Sequence, residues 1–242
     1  MKKPVIIINI CFLSILMLGF WGCKKDKEKE DDIEVFFDVP AIAKYDFSLE
    51  KPTLITPFDI LIAPQLLTNN LFYELEGEPL LVTYLINNDQ QPYKEHTTLW
   101  GELGVTQLKR ETPKSTDGGE SETGDYDVAI DKIKPYAMIA NIAFFRFSHS
   151  IFGTYLLYEM TYDPEDTAEI PTVFFRAKKS DTGIRPFEPF IFFCTFDLND
   201  FLVERRKTEK KIKVNIKFKT GTEDGKDVYK NCDDNPVELT FK

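Results

Sequence analysis

Hydrophobic and polar positions divide this chain into three stretches of different character. Between residues 5 and 21 nearly every position is apolar, interrupted by Asn9, Ser14 and Gly19, and Lys2 and Lys3 precede the run. From Lys24 to Asp32 nine successive residues include no apolar one. Such a segment has nothing to bury and is expected to remain a solvated tether. Beyond it, short runs rich in Phe, Tyr, Val, Ile and Thr alternate with Pro, Asn, Asp and Gly, which is the pattern of strands and turns. Strands are expected at 35–39, 53–55, 60–63, 71–75, 80–86 and 97–109, then at 126–130, 137–149, 155–162, 172–177, 190–196, 211–219 and 237–241.

Individual runs say more. Ile212, Val214, Ile216 and Phe218 alternate with Lys213, Asn215, Lys217 and Lys219, so this strand has one wet face. The run 190–196 is apolar on both faces and belongs at the centre of a sheet. Asp197-Leu198-Asn199-Asp200-Phe201-Leu202 reads as a short helical crossover capped by Asp197 or Asn199. Residues 112–124 hold no apolar anchor and read as a linker. The chain is therefore expected to be all-β, a small OB-like barrel followed by an antiparallel β-sandwich. Its expected division is a signal segment at 1–22, a tether at 23–34, the barrel at 35–111, the linker at 112–124 and the sandwich at 125–242. A single sandwich of about 200 residues is the alternative.

The N-terminus carries an address. A positive start, an apolar run and a small residue before a thiol make Leu18-Gly19-Phe20-Trp21-Gly22-Cys23 resemble a lipobox, with Cys23 as the acylated first residue of the mature chain. An uncleaved anchor would need about 17–25 apolar residues, and lysines flank this run on both sides. A plain secretory signal would prefer a small residue where Phe20 stands. The Lys-plus-acidic run after Cys23 also resembles the export tag of surface-exposed lipoproteins of the Bacteroidota. That resemblance implies a lipid-anchored protein on the outer face of the outer membrane.

Charge narrows the partners. The chain holds 30 Lys+Arg and 40 Asp+Glu, a net charge of -10. Removing residues 1–22 takes away Lys2 and Lys3 but no acid, leaving 28 against 40, or -12. No clustered basic footprint for nucleic acid is present, and anionic headgroups would repel this surface. The expected membrane partner is outer-membrane lipid, held through the acyl chains on Cys23. Two histidines and four cysteines leave little for a zinc site, so no metal or cofactor is expected.

A family resemblance rests on Glu76-Gly77-Glu78-Pro79-Leu80-Leu81-Val82-Thr83-Tyr84 in the first β region. In the second it rests on Phe144-Phe145-Arg146-Phe147-Ser148-His149, Glu159-Met160-Thr161-Tyr162-Asp163, Thr195-Phe196-Asp197-Leu198 and Gly225-Lys226-Asp227-Val228-Tyr229. With the lipidated cysteine and charged tether, this arrangement resembles the NigD-like lipoproteins of the Bacteroidota. The resemblance implies an OB-like domain followed by a β-sandwich and brings no catalytic residues with it. The 112–124 insertion departs from the pattern and blurs the domain border.

No Gly-x-Ser-x-Gly, P-loop, His-Glu-x-x-His or Cys-x-x-Cys occurs, and no catalytic residue is assigned. His149 between Ser148 and Ser150 fits a strand end better than a catalytic base, and His96 fits a loop. Asp163, Glu165 and Asp166, then Asp197, Asn199 and Asp200, then Glu223, Asp224, Asp227, Asp233 and Asp234 form acidic clusters. None has an EF-hand spacing, and turn chemistry accounts for them. Cys194 and Cys232 are available for a disulfide in an oxidising envelope, with a free buried thiol at Cys194 as the alternative. Of the 21 Phe, 10 Tyr and two Trp, most alternate in strands and belong to the core. Tyr93, Trp100, Tyr136, Phe152 and Phe187 sit beside turn residues and are the candidates to face a glycan or protein ligand. The expected function is a surface-exposed, non-enzymatic binding or accessory module, with a structural subunit of an adhesin or fimbrial assembly as the alternative.

Overall fold

The computed structural model describes residues 33–92, 96–99, 103–118, 126–150, 154–184, 191–204 and 211–240. The expected signal segment, Cys23 and all but the last two residues of the expected tether lie outside them. The protein is all-β, and its strands form three sheets.

The first sheet is built from β1 (Ile33–Asp46), β2 (Lys51–Ile55), β3 (Ile60–Ile62), β4 (Pro79–Asn87), β5 (Thr97–Thr98) and β6 (Gly104–Gln107). Their order is β5-β3-β2-β1-β4-β6, antiparallel apart from β3 beside β5. Among the described residues no pairing closes this sheet into the OB-like barrel that was expected. The expected strand at 71–75 is instead a helix, α1 (Leu71–Leu75), entered through a 3-10 passage at Pro64–Asn70. Its apolar residues explain the change. Phe72 and Leu75 are three apart and buried together with Leu66, while Tyr73 points outward, which is helical and not strand spacing. The expected long strand at 97–109 is divided into β5 and β6.

The second half is a two-sheet sandwich. One sheet runs β7-β13-β10-β9, from β7 (Arg110–Glu111), β13 (Ile191–Asp197), β10 (Ile142–Ser148) and β9 (Lys132–Ile139). The other runs β15-β14-β12-β11-β8, from β15 (Lys226–Asn231), β14 (Lys211–Glu223), β12 (Thr172–Ile184), β11 (Thr154–Tyr162) and β8 (Lys114–Ser115). Against β14 also lies β16 (Val237–Thr240). The sandwich is mixed where antiparallel sheets were expected, because β7 on β13, β8 on β11 and β12 on β14 pair in parallel. The run expected as one strand at 137–149 is a hairpin of β9 and β10, turning at Ala140, whose φ is 52°. The expected crossover forms α2 (Asn199–Glu204), and the backbone N–H of Asn199 donates to the Asp197 carboxylate at 3.0 Å. Asp197 is thus the cap.

The cores follow from the alternation. Between the sandwich sheets, Phe145 and Phe175 lie 4.8 Å apart, and Phe147 stacks on Tyr158 at 4.1 Å. On β14, Ile212, Val214, Ile216 and Phe218 face this core as the pattern requires. Leu54, Leu66, Phe72, Leu80 and Leu99 form a second core between the first sheet and the helical passage. A third cluster joins the two: Ile42 of β1 packs with Ile139, Ile142 and Phe144. Residues 143, 145 and 147 of β10 face the sandwich interior, and 142 and 144 face the first sheet. One strand therefore serves two cores, and the β7–β13–β10–β9 sheet is covered on both faces.

The first part of the expected linker is structured. β7 pairs with β13 in one sandwich sheet, and β8, three residues later, pairs with β11 in the other. The chain leaving the first sheet thereby crosses the open side of the sandwich as an edge strand of each sheet.

Candidate binding surface

The strands bring charged side chains into a row on the β15-β14-β12-β11-β8 sheet. Lys114 Nζ lies 2.6 Å from Glu159 Oε1, and Arg176 Nη1 lies 3.6 Å from Glu159 Oε2. Arg176 Nη2 is 3.1 Å from Asp227 Oδ2, and Lys219 Nζ is 2.5 Å from Asp227 Oδ1. The row crosses all five strands, with Lys219 and Arg176 side by side between the two carboxylates, and Arg176 is 1% and Glu159 5% exposed. The hydrogen bond to Glu159 holds the Lys114 ammonium above its ordinary pKa. The Tyr126 ring lies 5.1 Å from the Arg176 guanidinium carbon and 4.9 Å from Lys178 Nζ. Each carboxylate of the row faces two cations, so neither is left uncompensated and the row ties the strands together.

The sequence carried a signal for this row. Glu159 stands alone in Leu-Leu-Tyr-Glu-Met, and Arg176 stands alone in Val-Phe-Phe-Arg-Ala. A lone charge in an apolar strand needs a partner once buried.

The histidine and acidic candidates resolve into structural roles. His149 is 1% exposed. Its Nδ1 lies 2.8 Å from the Ala129 carbonyl, which can only accept, so Nδ1 carries the proton and Nε2 accepts from the Tyr158 hydroxyl at 3.0 Å. Ser150 donates to Asp131 at 2.6 Å, and not to His149. Burial pulls the His149 pKa below its ordinary value. Asp163 and Asp166 accept from the backbone of Glu165 and Ala168, each at 2.8 Å, and so shape a turn.

Cys194 and Cys232 are both buried and free. Cys232 is 4% exposed, and its thiol donates to the Ile133 carbonyl at 3.4 Å. The disulfide considered from sequence is therefore not formed here: each thiol packs into the sandwich core. Burial raises both thiol pKa values.

Of the aromatics singled out in the sequence, Tyr136 is 41% exposed and packs on Phe193 with ring centres 5.4 Å apart. Tyr93, Trp100, Phe152 and Phe187 lie outside the described residues. A group of exposed rings that sequence reasoning missed lies beside the first sheet. Phe47, 85% exposed, touches Tyr45 at 5.2 Å; Tyr45 touches Phe72 at 6.0 Å; Phe72 touches Tyr73 at 5.9 Å, and Tyr73 is 74% exposed. This strip runs from the β1–β2 turn to α1. Its inner members are anchored in the core, and its outer members present their rings to solvent. The misread helix at 71–75 hid it, because a strand would have placed Tyr73 differently.

These features define an all-β protein of stacked sheets with a solvent-facing aromatic strip. Among the described residues no helix is long and apolar enough to cross a membrane. In fold the chain is similar to an uncharacterised protein from Parabacteroides merdae, with a TM-score of 0.63 and 11% identity over 80% of this chain and 95% of that one. It is also similar to a candidate lipoprotein from Bacteroides fragilis, with a TM-score of 0.51 and 13% identity over 86% of this chain and 99% of that one. A NigD-like immunity protein from Bacteroides caccae is a further similar structure, with a TM-score of 0.48 and 13% identity over 88% and 99%. No family model matches the chain, and no curated protein does.

Proposed function

We propose that this chain is a lipid-anchored envelope protein, without catalysis of its own, that captures a ring-bearing ligand on the Phe47–Tyr45–Phe72–Tyr73 strip. The strip carries the reading, because exposed rings braced by buried ones offer flat apolar faces at little entropic cost. A sugar ring with its apolar face down fits such a platform, which makes a surface glycan the ligand class. The Gly22-Cys23 junction supports the anchor, and likeness in fold to a candidate lipoprotein agrees with it. The tether after Cys23 supports display on the outer face of the outer membrane.

A glycan array probed with the mature chain tests the platform. Capture of a glycan class that is lost with both Phe47→Ser and Tyr73→Ser supports the reading. Binding that survives both substitutions moves the site elsewhere, and an array with no signal removes glycan capture.

One observation favours the second reading, a subunit assembled by strand addition. Residues 33–41 of β1 pair with β4 along one side and, among the described residues, with no strand along the other. An unpaired edge can accept a strand.

A further inference from the structure

At its N-terminal end β1 leaves the body of the first sheet as a ribbon with β4. Ile33 pairs with Asn87, Val35 with Leu85 and Phe36 with Tyr84. Phe36 turns toward the first core and stacks on Tyr84 at 5.0 Å. By the alternation of a strand, Ile33, Val35 and Phe37 occupy the opposite face. A bulge between Phe36 and Val39 shifts the alternation by one, so that face becomes the one on which Ile42 packs against the sandwich. Beyond that contact it is bare: Ile33 is 46%, Val35 51% and Phe37 70% exposed. Soluble proteins seldom leave three apolar side chains in a row on an open ribbon without a partner.

The sequence says what lies within reach. Nine residues separate Ile33 from Cys23. Fully extended, that connection spans at most about 35 Å. The bare ribbon is therefore the part of the β body that is shortest along the chain from the expected acyl anchor. We propose that the Ile33–Val35–Phe37 face seats on the bilayer that holds Cys23, a proposal that rests on the lipid-anchored reading above. The contact is apolar, because this row carries no cation and the mature chain, at -12, gains nothing from anionic headgroups. Tethering supplies the high local concentration that three side chains alone would lack.

The seat has a consequence for the aromatic strip. Phe47 follows β1 ten residues after Phe37, about 33 Å along the strand. Phe47 and the strip beyond it therefore lie past the other end of β1, outside the seated row.

Tryptophan placed at the two ends of this strand tests the proposal. The mature full-length chain is processed in cells, its acylation at Cys23 verified by mass, and reconstituted into phosphatidylethanolamine vesicles with and without dibrominated phosphatidylcholine. Trp100 of the unsubstituted chain sets the baseline emission. The added emission of Phe37→Trp is expected to be blue-shifted and quenched about twofold by brominated lipid, which depends on contact with acyl chains. Phe47→Trp is expected to be unquenched, and neither result should change with salt. An acylated, vesicle-bound chain whose Phe37→Trp emission ignores brominated lipid overturns the seat and leaves the anchor standing. A Cys23 without lipid overturns both. Shielding of Phe37→Trp from aqueous acrylamide without quenching by lipid assigns the ribbon to a protein strand, and also overturns the seat.

Discussion

Lys114 Nζ lies 2.6 Å from the Glu159 carboxylate, which ties the chain leaving the first sheet to a buried charge on the far sheet of the sandwich. Arg176 stands next in the row and faces both Glu159 and Asp227. The two cations differ in exposure, 63% for Lys114 and 1% for Arg176.

That contrast gives the first prediction. Arg176→Met leaves two carboxylates without their shared cation in a low-dielectric site and should cost about 3–5 kcal/mol. Lys114→Met removes a partner that solvent already screens and should cost below about 1 kcal/mol. Adding Glu159→Leu to Arg176→Met should restore part of the loss, since a buried carboxylate that has lost one of its two cations goes with it. Urea unfolding measures all three. Equal costs for the two single substitutions would show that burial does not govern the row.

His149 sets an acid limb on stability. Burial holds its folded-state pKa below the ordinary 6.5, so the unfolded chain takes up the proton first. Stability from the neutral imidazole is complete above about pH 6.5 and falls as the pH drops through that value, until the folded chain also protonates. The slope can reach about 1.4 kcal/mol per pH unit. Urea midpoints between pH 7 and 5 should show this fall, and His149→Gln should flatten it. An unchanged slope in the variant would assign the limb to carboxylates.

Cys194 and Cys232 should behave as sequestered thiols. Burial raises both pKa values, which leaves almost no thiolate at neutral pH to react. Iodoacetamide should label neither in the native protein within the time that labels a free cysteine, and both in guanidinium. Mild oxidants should leave the two unpaired. A native disulfide found by mass under oxidising conditions would sink this expectation.

Much of the fold was legible in the sequence because period-2 alternation and turn residues mark strands directly. The alternation of Ile212, Val214, Ile216 and Phe218 matches the buried face of β14, and the Asp197 cap appeared where expected. The misreadings share a physical cause. Leu71–Leu75 is too short to show a helical period, and its apolar content fits a strand until Leu66 and Phe72 are seen to share one core. Within the 137–149 run only Asn141 marked the turn at Ala140, a single turn residue between two apolar stretches. Parallel pairing of β7 and β8 depends on chain far away in sequence, and two-residue strands carry no periodicity. The aromatic strip was hidden for the same reason. Phe47, Tyr45, Phe72 and Tyr73 meet only after β1 and α1 pack, and a ring's exposure depends on the element that carries it.

The shared use of β10 predicts that the two halves unfold together. Phe144 is fully buried between the first sheet and the sandwich, whereas Phe145 faces the sandwich interior. Alanine at either site should cost about 3–5 kcal/mol. The distribution of that cost should differ, because β7 and β8 still tie the chain to both sandwich sheets when Phe144 is lost. Native-state hydrogen exchange resolves it. In the unsubstituted protein, slow amides of β2 and β4 should exchange with the same opening free energy as those of β10 and β12. Phe144→Ala should lower the β2 and β4 values below the sandwich values, splitting one cooperative unit into two. Phe145→Ala should lower the sandwich amides at least as much as those of the first sheet. If Phe144→Ala lowers every amide equally, the Ile42–Phe144 cluster is one part of a single core and not the joint between two.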